Sequence, residues 1–278
     1  MSGSHDFLHR KISERLIDRL KDVNRPFERV LDIAGGLEGL DPGQIPAQRV
    51  TADLADARLR ATGDLMPVAM DEEFLPFAKQ SFGLVTSTLT LHWANDLPGA
   101  LLQIRQALMP DGMFLAAMLG GDTLIELRRA FIEAEAETTG GTSPRTSPFA
   151  GVTDAGSLLQ RAGFALPVVD TDTLTVTYDD MFGLMHDLRG MGETNSVTSR
   201  NRGFLRRDTL FAAADRYRDL FIDVNGRIPA TFQIIWLAGW APHVSQQHAL
   251  RPGSGDMSLA KALEAKETSA GEKADPAG

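Results

Sequence analysis

Three carboxylates in the first quarter of the chain carry the spacing that matters. Asp32, Asp53 and Asp71 each end a short apolar or β-branched run, and the small-residue turn Ala34-Gly35-Gly36 follows the first. A turn without side-chain bulk lets the backbone come close to a ligand. Asp53 stands 21 residues beyond Asp32, where a carboxylate can accept both hydroxyls of a ribose. Asp71, with Glu72 beside it, stands where an acid can accept from an adenine amino group. The set describes a nucleoside that carries no diphosphate.

A dinucleotide fits the same residues less well. Its fingerprint is G-x-G-x-x-G, with a helix N-terminus facing the pyrophosphate. Here the order is Ala34-Gly35-Gly36-Leu37-Glu38-Gly39, and Glu38 and Asp41 would repel two phosphates. S-adenosylmethionine carries an ammonium and a sulfonium beside one carboxylate and tolerates an acid there. No G-x-x-x-x-G-K-[ST] loop is present. A plainer alternative stays open: Gly35-Gly36 is a tight βα turn, and the acids are helix caps. Methyl transfer asks mainly for in-line positioning and exclusion of water, so the lack of cysteine or of a triad is no objection.

The elements that must position these residues alternate in type. An amphipathic helix is expected over residues 6–24, with Leu8, Ile12, Leu16 and Leu20 on one face. It either covers a sheet edge or lies over the cofactor as a lid. Strands are expected at 29–33, 49–53, 64–70, 82–87 and 113–118, with a helix over 97–109 and a Pro110-Asp111-Gly112 turn. One or two helical turns follow Gly36, limited by Pro42. A helix over 122–137 is expected to be capped by Asp122 or Thr123. Further helices over 154–162, 180–191 and 207–221 and strands over 168–178 and 231–237 complete the pattern. Strands alternating with helices predict a largely parallel sheet with helices on both faces. Ligands then bind beyond the carboxyl ends of the strands.

The 278 residues are 43% hydrophobic and 23% charged, enough for one large packed domain. The net charge of −9 offers no field for nucleic acid or anionic lipid. No run approaches the roughly 18 apolar residues of a membrane span. The N-terminus shows neither a signal-peptide core nor an Arg- and Ser-rich presequence, so a bacterial-type cytoplasmic location is expected.

Several longer stretches carry a resemblance. Val30-Leu31-Asp32 with the small residues, Asp53-Leu54, Asp71-x-x-x-Leu75-Pro76-Phe77 and the run from Ser87 to Trp93 resemble a class I S-adenosylmethionine-dependent methyltransferase. In the second half, Gly120-Gly121-Asp122-Thr123-Leu124, Ser143 to Phe149, Gly190 to Asn195, Arg207-Asp208-Thr209-Leu210 and Pro229-Ala230-Thr231-Phe232 resemble the complex I assembly factor 5 family.

The resemblance implies a three-layer Rossmann-like α/β fold, with a seven-stranded, mostly parallel sheet whose last strand is reversed. It places the core at about 28–175 and 228–240 and a helical insertion at about 179–228 in a single domain over 1–250; the Gly-, Ser-, Ala- and Lys-rich composition of 251–278 predicts a mobile tail. It implies a cofactor set of Asp32, Ala34, Gly35, Gly36, Asp53, Leu54, Asp71, Glu72, Thr88 and Leu89, with S-adenosylmethionine as the cofactor. The loop departs from the family's G-x-G-x-G, with Ala34 and Glu38 at the first and third glycines; the alanine adds a methyl where the ligand would approach. The implied function is methyl transfer to a protein or small molecule, with a complex I subunit or another protein as partner. A non-catalytic assembly chaperone and a protein arginine hydroxylase are the alternatives.

Among single residues, His92 and Trp93 either line the acceptor side of the pocket or pack under the next helix. Arg145, in a Ser-Pro-bounded loop, either binds an acidic group or is a solvated loop charge. The arginines between 200 and 207 read as a solvated helix start or a contact for RNA or an acidic partner. No H-x-x-x-H or H-E-x-x-H spacing points to a metal.

Overall fold

The computed structural model describes residues 5–37, 48–55, 59, 66–147, 149, 151–201, 203–247, 257 and 259–264. Glu38, Asp41, Pro42 and Asp64 lie outside the described residues, as does most of the expected tail. The chain divides into two units, residues 1–243 and 244–278. The second contributes one short helix, Leu259–Ala262.

The first unit is built on a seven-stranded sheet in the order β3-β2-β1-β4-β5-β7-β6. The strands are β1 (Arg29–Ile33), β2 (Gln48–Asp53), β3 (Pro67–Ala69), β4 (Phe82–Thr88), β5 (Leu108–Leu119), β6 (Ala165–Tyr178) and β7 (Ile228–Trp240). β1 to β5 pair in parallel, and β7 runs antiparallel to both β5 and β6. The order reverses between β1 and β4, where a ligand crevice is expected.

Alternation along the central strands divides the core. Met113, Leu115, Ala117 and Leu119 of β5 bury on one face, and Phe114, Ala116 and Met118 on the other. Both faces being covered explains why these strands read as continuous apolar runs. On the first face lie α1 (Phe7–Lys21), α3 (Ile125–Thr139), α5 (Met181–Met191) and α6 (Arg207–Phe221); α2 (Leu97–Ala107) and α4 (Val152–Arg161) cover the second. Helices α5 and α6 are the insertion between β6 and β7.

Three local expectations are corrected. Helix α1 does not cover a sheet edge: Leu8, Ile12 and Leu16 pack on the face of the sheet with Val30, Leu84 and Leu115. Pro110-Asp111-Gly112 is not a separate turn but part of β5; Asp111 takes φ 60° and the pairing shifts register between Phe82 and Leu84. Neither Asp122 nor Thr123 caps α3. Leu124 precedes it in a left-handed conformation, while Asp122 and Thr123 are held by Gln233 of β7.

Candidate cofactor and acceptor site

β1 carries Asp32 into the interior, where it is wholly buried. Its carboxylate accepts from Gly36 N–H at 3.1 Å, Leu37 N–H at 3.0 Å and the Thr86 hydroxyl at 2.8 Å. Asp32 therefore shapes the turn, with both its oxygens engaged inside the fold. Burial pushes its carboxyl up to about 6; the Leu37 N–H, the Thr86 hydroxyl, the Arg49 charge and the Gly36 N–H pull the other way.

Within the turn, Ala34 and Gly35 both take positive φ, 68° and 70°. Ala34 is only 3% exposed, and its carbonyl accepts from His9 Nε2 at 2.8 Å. Its methyl is packed inside, not set in open space where a ligand would approach, contrary to expectation. Gly36 abuts Thr88 at the end of β4. The Ser87, Thr88 and Thr90 hydroxyl oxygens are buried there with no hydrogen-bond partner among the described residues. Unsatisfied polar atoms clustered at a strand end suit a site that takes a polar ligand.

Asp53 and Asp71 stand at neighbouring strand ends. Asp53 ends β2, Asp71 follows β3, and the Met70 N–H donates to the Asp53 carbonyl at 3.2 Å. Each acid holds a turn with one oxygen: Asp53 accepts from Ala55 N–H at 2.7 Å and Asp71 from Glu73 N–H at 2.9 Å. Leu54 is 66% exposed beside them, and Glu72 is half-buried. Leu89 leaves β4 at φ 53° and donates its N–H to the Ala117 carbonyl.

Two small cavities open off this end of the sheet. One, of about 40 Å³, is lined by His5, Asp6, Leu8, His9, Leu89, Met191 and Glu193. Helix α1 thus joins the site, since His9 reaches the turn and its neighbours line this cavity. The other, of about 50 Å³, lies among Trp93, Leu124, Arg145, Phe149, Glu193 and Phe232.

His92 and Trp93, in a 3₁₀ turn over Leu91–Trp93, divide their roles. Trp93 lines the second cavity, whereas the His92 side chain is 1% exposed behind it and bonds Glu193 at 3.2 Å. Arg145 is no solvated charge. Its Nε donates to Glu135 Oε1 at 2.6 Å, with the two side chains 19% and 5% exposed. Burial pushes the Glu135 carboxyl up, but the Ser143 N–H, the Arg145 guanidinium and the Ser143 hydroxyl outweigh it and hold it below the ordinary glutamate value. Arg206 and Arg207 are exposed, with Arg206 paired to Asp208, whereas Arg200 is half-buried and donates to the Val197 carbonyl at 3.0 Å; Arg202 lies outside the described residues.

Sequence reasoning missed His9, Glu135 and Glu193 as site residues. Only Glu193 left a signal, as an acid directly after the helix-ending Gly192, which takes φ 89°.

With this geometry in hand, comparison with known proteins is decisive. A model of the methyltransferase domain matches residues 39–116. The human protein "Arginine-hydroxylase NDUFAF5, mitochondrial" is 44% identical over 91% of this chain and 75% of its own length. The zebrafish protein of that name is 43% identical over 93% and 83%. The chain belongs to the NDUFAF5 family of methyltransferase-fold proteins. A malonyl-[acyl-carrier protein] O-methyltransferase from Laribacter hongkongensis is 34% identical over 88% of this chain and 86% of its own. The YcgJ protein of Bacillus subtilis shares the fold, with a TM-score of 0.55 at 16% identity over 83% of this chain and 99% of that one.

These relatives overturn one expectation. The cytoplasmic, bacterial-type location fails because NDUFAF5 proteins alike over nine-tenths of this chain are mitochondrial by name. The physical reason is that an address is read from a segment the fold does not need, so a folded core carries no trace of it. Among the described residues no helix is long and apolar enough to cross a membrane, and no cluster of three or more His, Asp or Glu is arranged to hold a metal ion.

Proposed function

We propose that this chain binds S-adenosylmethionine across the carboxyl ends of β1, β2 and β3 and transfers its methyl group to a protein or small-molecule acceptor. The observation that carries the reading is the meeting of Asp53 and Asp71 at adjacent strand ends, beside a turn ordered by Asp32. Asp53 would accept the ribose hydroxyls, and Asp71 with Glu72 would take the adenine amino group, flanked by Leu54. The backbone of Ala34, Gly35 and Gly36, with Thr88 and Leu89 opposite, would border the methionyl end. When bound, the cofactor supplies an electrophilic methyl group on a sulfonium. The chain's residues then need only hold the acceptor in line and keep water out. Trp93 and Phe149 give the acceptor cavity an apolar wall suited to that task.

We further propose a role in respiratory complex I assembly with a complex I subunit as partner, supported by kinship to NDUFAF5 proteins. The hydroxylase name of those relatives supports a second reading, in which the same cavity receives an arginine and an oxidant replaces the methyl donor. Calorimetry with S-adenosylmethionine and S-adenosylhomocysteine tests the first. Saturable binding by the wild type, weakened at least about tenfold in Asp53→Ala by loss of a charged hydrogen-bond partner, is expected. No binding at millimolar ligand would favour a non-catalytic assembly protein. Mass spectrometry of a modified partner separates the chemistries, since methylation adds CH₂ and hydroxylation adds oxygen.

A further inference from the structure

Glu193 is the one residue that lines both cavities described above. It shares the first cavity with His5, His9 and Leu89, and the second with Trp93, Phe149 and Asn195. A donor bound on the first side and an acceptor bound on the second would meet at this carboxylate. Its position is fixed from two directions. The backbone is closed by the end of α5, where Gly192 turns left-handed and the Glu193 N–H donates to the Leu188 carbonyl at 2.8 Å. The side chain, 13% exposed, is held by His92.

The His92 ring has little freedom. Nδ1 faces the Leu119 N–H at 3.5 Å, which leaves Nε2 as the proton-bearing nitrogen. Nε2 lies 3.2 Å and 3.4 Å from the two Glu193 oxygens. Trp93 and Phe149 pack against the ring with centroids 5.4 Å and 5.6 Å away. One N–H shared by two carboxylate oxygens leaves most of their accepting capacity unused.

The cation in the same cavity is already engaged. Arg145 is paired with the buried Glu135, which in turn takes the Ser143 N–H at 2.7 Å. An incoming carboxylate would therefore face Glu193 and a neutralised guanidinium. An N–H or O–H group would find a charged acceptor with lone pairs to spare.

We infer that Glu193, oriented by His92, is the acceptor-binding residue that selects a protic nucleophile, N–H or O–H, over a carboxylate. The inference rests on the methyltransferase reading and separates this chain from its malonyl-[acyl-carrier protein] relatives, whose named acceptor, a malonyl group, ends in a carboxylate. His92 is a positioning residue acting through Glu193.

The test uses the full chain with ¹⁵N-labelled tryptophan. Trp93 lines the acceptor cavity, and Trp236 and Trp240 in β7 report the fold. Acetamide and acetate, equal in shape and opposite in this respect, are titrated with and without S-adenosylhomocysteine. In the wild type the Trp93 indole signal moves saturably with acetamide and not with acetate. In Glu193→Gln acetamide binding weakens about tenfold, the loss of one hydrogen bond to a charged group, and acetate becomes detectable. His92→Phe, which keeps a ring between Trp93 and Phe149 but has no donor, leaves Glu193 charged without its clamp and weakens acetamide as well. Acetate moving Trp93 as tightly as acetamide in the wild type overturns the inference. So does an unchanged acetamide titration in Glu193→Gln; if that variant loses its Trp236 and Trp240 signals, an unchanged titration in His92→Phe does the same. Failure of S-adenosylhomocysteine to bind sinks the cofactor reading instead and leaves this comparison decisive.

Discussion

Gly36 and Thr88 touch across the gap between the turn after β1 and the end of β4. A β-carbon on Gly36 would stand 1.9 Å from the Thr88 hydroxyl oxygen and 3.0 Å from the Thr88 β-carbon. The glycine is needed for packing against β4, quite apart from any ligand. Gly36→Ala should cost about 2 kcal/mol of stability, in the range of overpacked cores. Thr88→Ala removes the oxygen, so in the double variant the penalty should shrink by about 1 kcal/mol. Urea unfolding of the four proteins measures this, and strictly additive losses would show that the two side-chain positions do not meet.

Ala34 sits in the left-handed region, which costs an L-residue roughly 1–2 kcal/mol and penalises β-branching further. Relief of that strain in Ala34→Gly is offset by the flexibility of glycine in the unfolded chain and by loss of a buried methyl, so the variant should stay within about 1 kcal/mol of wild type. Ala34→Val should lose at least about 2 kcal/mol. A valine variant as stable as wild type would mean the turn is extended, since valine favours extended backbone. Thermal unfolding suffices for both.

Asp32 gives a pH signature with a definite sign. Its folded-state carboxyl is raised to about 6 against an ordinary value of 3.8. Between these values the native state holds a proton that the unfolded chain has released, so stability falls as pH rises through the window. The displacement corresponds to roughly 3 kcal/mol at most. Asp32→Asn has no such group, yet its amide cannot accept both N–H bonds of the turn, which costs it about 1–3 kcal/mol. The advantage of wild type over Asp32→Asn should therefore be larger at pH 4 than at pH 7. A gap in stability that does not change over that window, measured by chemical denaturation, would contradict the buried titration.

Arg145 and Glu135 make a second, opposite signature. Removing the guanidinium in Arg145→Ala strands a buried carboxylate, at a cost of about 3 kcal/mol near neutral pH. Glu135→Leu combined with Arg145→Met should be milder than that single change, because no charge is left unpaired. Since the Glu135 carboxyl is held below its ordinary value, its contribution is present above that value and lost as pH falls through the folded one. The deficit of Arg145→Ala should close in acid. Equal deficits at pH 3 and pH 7 would remove the ion pair from the account.

Much of the scaffold was legible in order along the chain. Asp53 and Asp71 lie at or just after strand ends, and Asp32 one residue before one, because apolar β-branched runs make strands and these acids stand where the runs give out. The boundaries of β5 were not legible, because a Pro-Asp-Gly signal reads as a turn, and here it forms a bulge inside the strand, which pairs with β4 at Leu108 and again from Met113. The cap of α3 was hidden for the same reason: Asp122 and Thr123 have the right chemistry for a cap, but Gln233 of β7, more than a hundred residues on, claims them.

By itself the sequence determined the class of fold, the acids at the strand ends and the small-residue turn, since each depends on residues next to one another in the chain. Only the tertiary structure decided what those groups face. It turned Asp32 inward as the organiser of the turn, paired Arg145 with Glu135, brought His9 of α1 to Ala34, and placed Glu193 between two cavities. Burial and partner choice are set by what lies across the sheet, and that distance is not written in local spacing.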